Sequence, residues 1–290
     1  MTIDETAFES WIGKTESATD FLTLAPLTGL AATLDKEKLQ FAPGDKLPPL
    51  WHWLYFLSPA RQSKIANDGH AERGDFLPPI PLPRRMWAGS RFEFHHPLHA
   101  GEEVNRVSTI KSIACKEGRS GQLAFVTVKH EIGTELKNAI SEEHDIVYRD
   151  LAPSNQSPPP AKSAPTSSDY SKTIDPDPVL LFRYSALTFN GHRIHYDREY
   201  VTTEEGYPGL IVHGPLLATL LVDLLIEQFP EKTLRSFEFK AVSPVFDLNP
   251  FDVCGTNPDQ EGNLSLWIKD YEGTLCMQAQ ASFSHSISNK

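Results

Sequence analysis

The chain has 290 residues, 40% of them hydrophobic and 22% charged, so it is long enough to bury a substantial core and has the make-up of an ordinary globular protein. Its formal net charge of −11 argues against a nucleic-acid or anionic-membrane surface as the main partner, although a few arginines in one pocket can still receive an anion. The three cysteines, Cys115, Cys254 and Cys276, are far apart and none belongs to a C-x-x-C pair, which argues against a disulfide framework or a zinc site.

The acidic start Met1-Thr2-Ile3-Asp4-Glu5 has no apolar run, so no signal peptide is expected. Nor is Ser288-Asn289-Lys290 a peroxisomal address. A cytoplasmic protein is the expectation. The first helix candidate is 50–57, where Trp51, Trp53, Tyr55 and Phe56 read as core. The proline-rich run Leu77-Pro78-Pro79-Ile80-Pro81-Leu82-Pro83 is stiff and delivers Arg84 and Arg85, which could meet a phosphate or a carboxylate. Strand candidates follow near 90–95, 103–115, 122–131 and 144–149. His95-His96-Pro97-Leu98-His99 has no acidic partner at ligand spacing, so no metal site is expected.

Residues 152–177 are rich in Pro and Ser and poor in large apolar side chains. Such a stretch reads as a linker, because it cannot bury enough surface to offset its ordering entropy. It separates a first half, 1–151, from a second half, 178–290. The second half repeats the outline of the first. A helix is expected at about 214–229, with strands near 234–242, 252–255, 264–270 and 275–287. Its helix lies in the most apolar stretch of the chain, but His213, Asp223 and Glu227 within that stretch suit a buried helix better than a membrane span. Phe92-Glu93-Phe94 reappears as Phe237-Glu238-Phe239, each copy shortly before a proline and after a helix candidate, which points to duplication. A helix followed by an antiparallel sheet in each half makes the fold class α+β.

The residues with most chemistry run from Phe182 to Asp197, a helical start broken at Asn190-Gly191 and followed by His192-Arg193-Ile194-His195. Ile211-Val212-His213-Gly214-Pro215-Leu216 follows, an extended approach, a glycine and an apolar helix. Gly214 lets the backbone come close to a ligand, and the free N–H groups of a helix start favour developing negative charge. The first piece therefore supplies an imidazole and the second an oxyanion-type site. No G-x-x-x-x-G-K-[ST], G-x-G-x-x-G or G-x-S-x-G element stands in a suitable context, which disfavours nucleotide hydrolysis, hydride transfer and a nucleophile-elbow esterase.

On these residues, and on the stretch from Leu77 to Gly89, the chain resembles the MaoC-like, R-specific enoyl-CoA hydratases. The likeness is greatest to the branch of type 2 hydroxyacyl-thioester dehydratases and mesaconyl-C4-CoA (3-methylfumaryl-CoA) hydratases. The resemblance implies a double hot-dog fold, two long helices each wrapped by an antiparallel sheet, with the second half catalytic and the first half non-catalytic. It implies a hydro-lyase acting on an acyl-CoA, here a short branched dicarboxylic enoyl-CoA such as mesaconyl-C4-CoA or itaconyl-CoA giving citramalyl-CoA, with coenzyme A part of the substrate and no other cofactor. It places the catalytic imidazole at His195 and the carbonyl-polarising amide at Gly214. Asn190 falls where the family motif has an aspartate, and asparagine cannot accept a proton at neutral pH, so there it could only orient water. His192-Arg193 replaces the family's Asn-Pro pair. Arg193 could clamp a substrate carboxylate or pair with Asp197 or Glu199. His192, Tyr184, His213, Arg84 and Arg85 are further candidates for substrate contact. A fatty 3-hydroxyacyl-thioester dehydratase, a thioesterase and a non-catalytic acyl-thioester binding subunit remain alternatives. A homodimer is a further expectation, because hot-dog sheets tend to pair.

Overall fold

The computed structural model describes residues 5–72, 75–118, 121–150 and 161–284. One antiparallel sheet organises them. Its strands are β1 (Thr15–Phe21), β2 (Arg84–Phe94), β3 (Glu103–Gly118), β4 (Gly121–Gly133), β5 (Asn138–Arg149), β6 (Tyr170–Ile174), β7 (Leu234–Ala241), β8 (Phe251–Gly255), β9 (Asn263–Lys269) and β10 (Leu275–Phe283). Their order across the sheet is β1-β3-β4-β5-β2-β7-β10-β9-β8-β6. The helices are α1 (Leu24–Thr33), α2 (Pro178–Leu187), α3 (Arg198–Thr203) and α4 (Gly214–Gln228).

The two families of strands meet at β2 and β7, and the duplicated tripeptide lies at that seam. Phe92 pairs with Phe237, its own counterpart, as a local twofold axis through the junction requires. Both phenylalanines are buried, and their rings lie 6.2 Å apart. The approach is close. A Cβ on Gly89 would lie 2.3 Å from the Phe239 carbonyl oxygen, so this position admits only glycine, and β2 bulges there against β5.

Helix α4 is apolar all round, which is the pattern of a helix enclosed on every side. Residues 216–225 are all buried, Asp223 among them, and Lys36 answers that carboxylate at 2.9 Å. One hydrophobic core joins α4 to α1, to the 3-10 turn at Trp51–Leu54 and to both seam strands. Among the described residues, no helix is long and apolar enough to cross a membrane.

The structure departs from the sequence reading in three places. Residues 50–57 are not a helix. Leu50 and Phe56 take left-handed backbone angles (φ 68° and 54°), which limits the helix to the 3-10 turn between them, although Trp51, Tyr55 and Phe56 are core residues as expected. The first-half helix is instead α1, ten residues long and upstream of that turn. The two helices are therefore unequal, and a pair of matched long helices does not describe them. Lastly, the stretch read as a linker contains β6, which pairs with β8 and packs Tyr170 and Ile174 against the core. Residues 152–160 of that stretch, and the end of the last strand candidate at 285–287, lie outside the described residues.

Truncating one side of the seam should be costly, since removing a buried phenylalanine leaves a cavity worth about 3–5 kcal/mol. Phe237→Ala is expected to lower the free energy of unfolding in urea by that amount. A loss below about 1 kcal/mol would show that the seam does not hold the sheet together.

Candidate active site

The site is built where α2 ends. Asp177 caps this helix by accepting from the N–H groups of Val179 and Leu180, and Pro178 at the first position suits a helix start. At the other end Phe189 turns left-handed (φ 50°), and the Asn190 N–H closes onto the Ser185 carbonyl at 2.8 Å. The Asn190 side-chain oxygen then accepts from the His192 N–H at 3.0 Å, starting the 3-10 turn Arg193–His195. With one lone pair of its oxygen engaged, Asn190 has its amide NH2 to donate to a ligand.

His195 is buried, and its Nδ1 lies 2.7 Å from the Ile211 carbonyl oxygen. A carbonyl can only accept, so Nδ1 carries the proton and Nε2 carries the lone pair. Nε2 has no partner among the described residues, yet it is not enclosed, in contrast to His213 Nδ1, which is buried without one. Burial pushes the His195 pKa down to about 4, against the opposing effect of the Ile211 hydrogen bond. The ring is therefore neutral at physiological pH.

The same Ile211 donates its N–H to Ile194 at 3.0 Å, and Val212 donates to Val245 at 2.9 Å, so the approach to α4 is held on both sides. His213 is the N-cap of α4, and its ring stacks on His195 at 3.7 Å and 19°. Gly214, the next residue, opens the helix. A Cβ placed there would meet nothing within 4 Å, so there is room in front of this backbone, and no described residue accepts its N–H. The catalytic candidates His195 and Gly214 are thus brought together by a ring stack and one peptide unit.

His213 bonds to the Ser185 hydroxyl at 2.7 Å through Nε2, and Tyr184 meets its ring edge-on at 5.0 Å. Burial drives the His213 pKa far below the ordinary histidine value. Tyr184 is buried against the His213 ring, where it packs the frame that holds His195.

Arg193 is also placed differently from the substrate clamp allowed by the sequence. Its Nε and Nη2 both donate to Asp197, at 3.0 and 2.8 Å, its Nη1 donates to the Asn67 carbonyl at 3.1 Å, and its plane covers Tyr200 at 4.1 Å. Arg84 pairs with Glu205 at 3.2 Å and lies over Tyr207. Arg85 is half-buried on β2 without a carboxylate or other acceptor among the described residues.

A loop of the first half reaches this site, which the sequence did not reveal. Gly69 (φ 91°) packs so tightly on Gly191 that a Cβ would lie 1.9 Å from the Gly191 carbonyl oxygen. The Arg193 N–H donates to the Asp68 carbonyl at 2.9 Å. This lock brings in His70, whose Nδ1 donates to the Asp68 carboxylate at 3.0 Å and whose ring lies 4.1 Å from that of His192. His192 in turn stands 5.5 Å from His195, edge to face. Burial, with the charges of His70 and His195, lowers the His192 pKa to about 2. Burial opposes ionisation of Asp68, but hydrogen bonds from His70 outweigh it and hold this carboxyl well below the usual range. Asp68, His70 and His192 offer ligand atoms within 4.8 Å of one another, a grouping that the expectation of no metal site overlooked. Its geometry is nevertheless that of a hydrogen-bonded carboxylate–imidazole pair with a second ring tilted at 43° beside it. The only signal in the sequence was a polar loop containing Asp68-Gly69-His70. Near the site, a cleft of about 360 Å3 is lined by Tyr55, Leu57, Pro59 and Phe189, the last of these next to Asn190.

The family model for hydroxyacyl-thioester dehydratase type 2 matches residues 50–247. The chain is 50% identical over 242 residues to a mesaconyl-C4-CoA hydratase of Chloroflexus aurantiacus, a match covering 83% of this chain and 86% of the relative. It is 30% identical over 286 residues to a mitochondrial hydroxyacyl-thioester dehydratase type 2 of Schizosaccharomyces pombe, covering 88% and 93%. Among solved structures, a MaoC-like dehydratase of Phytophthora capsici superposes with a TM-score of 0.71 at 15% identity, covering 98% of this chain and all of that one. A double hot-dog protein of Mycobacterium tuberculosis gives 0.59 at 11% identity, covering 94% and 96%. At these identities the structures speak for the fold alone.

The depressed His195 pKa has two consequences. The base form exists above about pH 4, so kcat/KM should stay level from pH 8 down to about 5 and fall below that, whereas a break near 6.5 would mean that this ring is not the titrating base. The folded value lies below the unfolded one, so the unfolded chain binds more protons between about pH 6.5 and 4. Stability contributed by this group is complete above about pH 6.5 and is lost as the pH falls toward 4. His195→Gln should flatten that part of the stability profile.

Proposed function

Because the chain belongs to the hydroxyacyl-thioester dehydratase type 2 family, we propose that it is a hydro-lyase adding water to the double bond of a short branched dicarboxylic enoyl-CoA, mesaconyl-C4-CoA or a close variant giving citramalyl-CoA. The observation that carries the mechanism is a neutral His195, with its Nε2 lone pair open, beside the unobstructed helix start at Gly214.

In the hydration direction Nε2 of His195 takes a proton from water as the oxygen bonds to Cβ. The π pair moves onto the thioester oxygen, where the Gly214 N–H and the helix dipole stabilise the enolate. The enolate then collapses, Cα takes the proton back from the imidazolium, and the base is restored. An imidazolium with a pKa near 4 gives that proton up readily. The Asn190 amide NH2 orients the water. No electrons are gained or lost, so the reaction balances without a redox cofactor. The stacked His213 and its Ser185 hydrogen bond hold the base in place. The chain acts in the cytoplasm, in keeping with three free thiols.

Incubation with mesaconyl-C4-CoA should remove the enoyl-thioester absorbance without releasing free thiol, while thiol release would identify a thioesterase. His195→Ala and His195→Gln should abolish turnover while circular dichroism at pH 7.5 shows the fold retained, with a lower thermal melt for the alanine variant because it loses the buried ring and its bond to Ile211. Turnover retained in both variants would take His195 out of the role of base. Dialysis against a chelator should leave the rate unchanged, and a loss restored by a divalent cation would show that Asp68, His70 and His192 hold a metal in the working enzyme.

A further inference from the structure

Water brings two hydrogens to the reaction, and His195 Nε2 takes only one of them. The second also needs an acceptor. An O–H left without a partner in a buried site costs free energy, and a water held at one hydrogen alone can swing its lone pair away from Cβ. A carboxylate at residue 190 could accept that hydrogen, but the residue is asparagine. Its oxygen is turned to the His192 N–H at 3.0 Å, which leaves its NH2, a donor, for the water.

His192 stands where such an acceptor is wanted. Its ring meets that of His195 edge to face, at 88° and with 5.5 Å between centres. An oxygen about 2.8 Å from one nitrogen of each ring would see the two nitrogens roughly 90° apart, an angle that the two O–H bonds of water can meet. Neither ring nitrogen of His192 has a partner among the described residues, and neither is enclosed. Burial keeps this ring neutral at physiological pH, so one of its nitrogens keeps a lone pair. The first half of the chain fixes the ring. On one side of His192, Gly69 abuts Gly191 with no room for a Cβ. On the other side, the Arg193 N–H donates to the Asp68 carbonyl at 2.9 Å, and the Arg193 guanidinium donates to the Asn67 carbonyl at 3.1 Å. The backbone before and after His192 is thus anchored to one loop. His70, from the same loop, lies against the His192 ring itself, with 4.1 Å between centres. Asp68 holds His70 with both carboxylate oxygens, which accept from its backbone N–H at 2.9 Å and from its Nδ1 at 3.0 Å.

We infer that His192 accepts the second hydrogen of the attacking water, and that Asp68 and His70, from the first half of the chain, are positioning residues that hold it there. The inference rests on the hydratase reading above and gives the first half a part in the reaction. The proton count is unchanged. The O–H bond that breaks is the one directed at His195, while the other remains as the hydroxyl of the product, donating to His192. In the dehydration direction the same contact holds that hydroxyl in line as its bond to Cβ breaks and His195 returns the proton.

The experiment uses the full chain with mesaconyl-C4-CoA as substrate and circular dichroism to confirm that each variant is folded. His192→Phe keeps a ring against His70 but removes the acceptor, and should lower kcat about 100-fold with KM changed less than about twofold. His70→Ala and Asp68→Ala should each lower kcat about 10-fold, again with little change in KM. Asn190→Asp exchanges the amide nitrogen for an oxygen that can accept. Added to His192→Phe, it should recover about 10-fold of the lost kcat, a gain that a merely structural His192 would not allow. Native kcat in His192→Phe would overturn the assignment, and so would a folded double variant no faster than His192→Phe. Native kcat in both His70→Ala and Asp68→Ala would overturn the positioning role. If the native chain itself turned over no enoyl thioester, the hydratase reading would fail and this inference with it. Turnover by the native chain that is indifferent to residue 192 sinks the inference alone.

Discussion

The hydrogen bond from His195 Nδ1 to the Ile211 carbonyl is the contact on which the rest of the site depends. It is only 2.7 Å long and its acceptor is a backbone oxygen, so the bond selects one tautomer and leaves Nε2 as the open nitrogen. Ile211 also donates to Ile194, the residue just before the base, and two residues later the chain caps α4. The imidazole and the helix-start amide are therefore positioned by one short, doubly anchored backbone segment. Burial adds to this arrangement by keeping the ring neutral, and the parallel His213 ring denies it one face on which to shift.

The two halves of the sheet differ around that segment. The repeated Phe-Glu-Phe segments meet at the seam, where Phe92 pairs with Phe237. The second half has a fifteen-residue helix buried from Leu216 to Leu225, with the unobstructed Gly214 at its start. The first half has only the shorter α1, and one face of its β2–β5 pair carries the polar groups Ser90, Glu142 and His144. Its loop at 67–70 is then joined to the motif by a glycine–glycine contact that tolerates no side chain. Residues of both halves thus meet around His192 and His195.

Residues close in sequence were legible before the fold was known. His195, Asn190 and Gly214 share a short motif, and the sheet in which β7 and β10 lie alternates with period two, so both could be read from order and spacing. What escaped was settled by contacts distant in the chain or by single backbone angles. Residues 50–57 have the apolar density of a helix, but left-handed turns at Leu50 and Phe56 end it after one turn. The Ser- and Pro-rich stretch before α2 looked too polar to order, yet Tyr170 and Ile174 give β6 enough apolar surface to add to the sheet edge. The choice between clamp and ion pair for Arg193 depended on where Asp197 points, which spacing alone leaves open. Asp68 and His70 lie more than a hundred residues from the motif, and no local pattern marks them.

A structure of His195→Gln with mesaconyl-C4-CoA bound tests the central claim most directly, because the variant removes the base and keeps the frame. The thioester oxygen should lie about 3 Å from the Gly214 nitrogen, with Cβ facing residue 195. A thioester seated in the cleft beyond Phe189, with its oxygen remote from Gly214, would contradict the account.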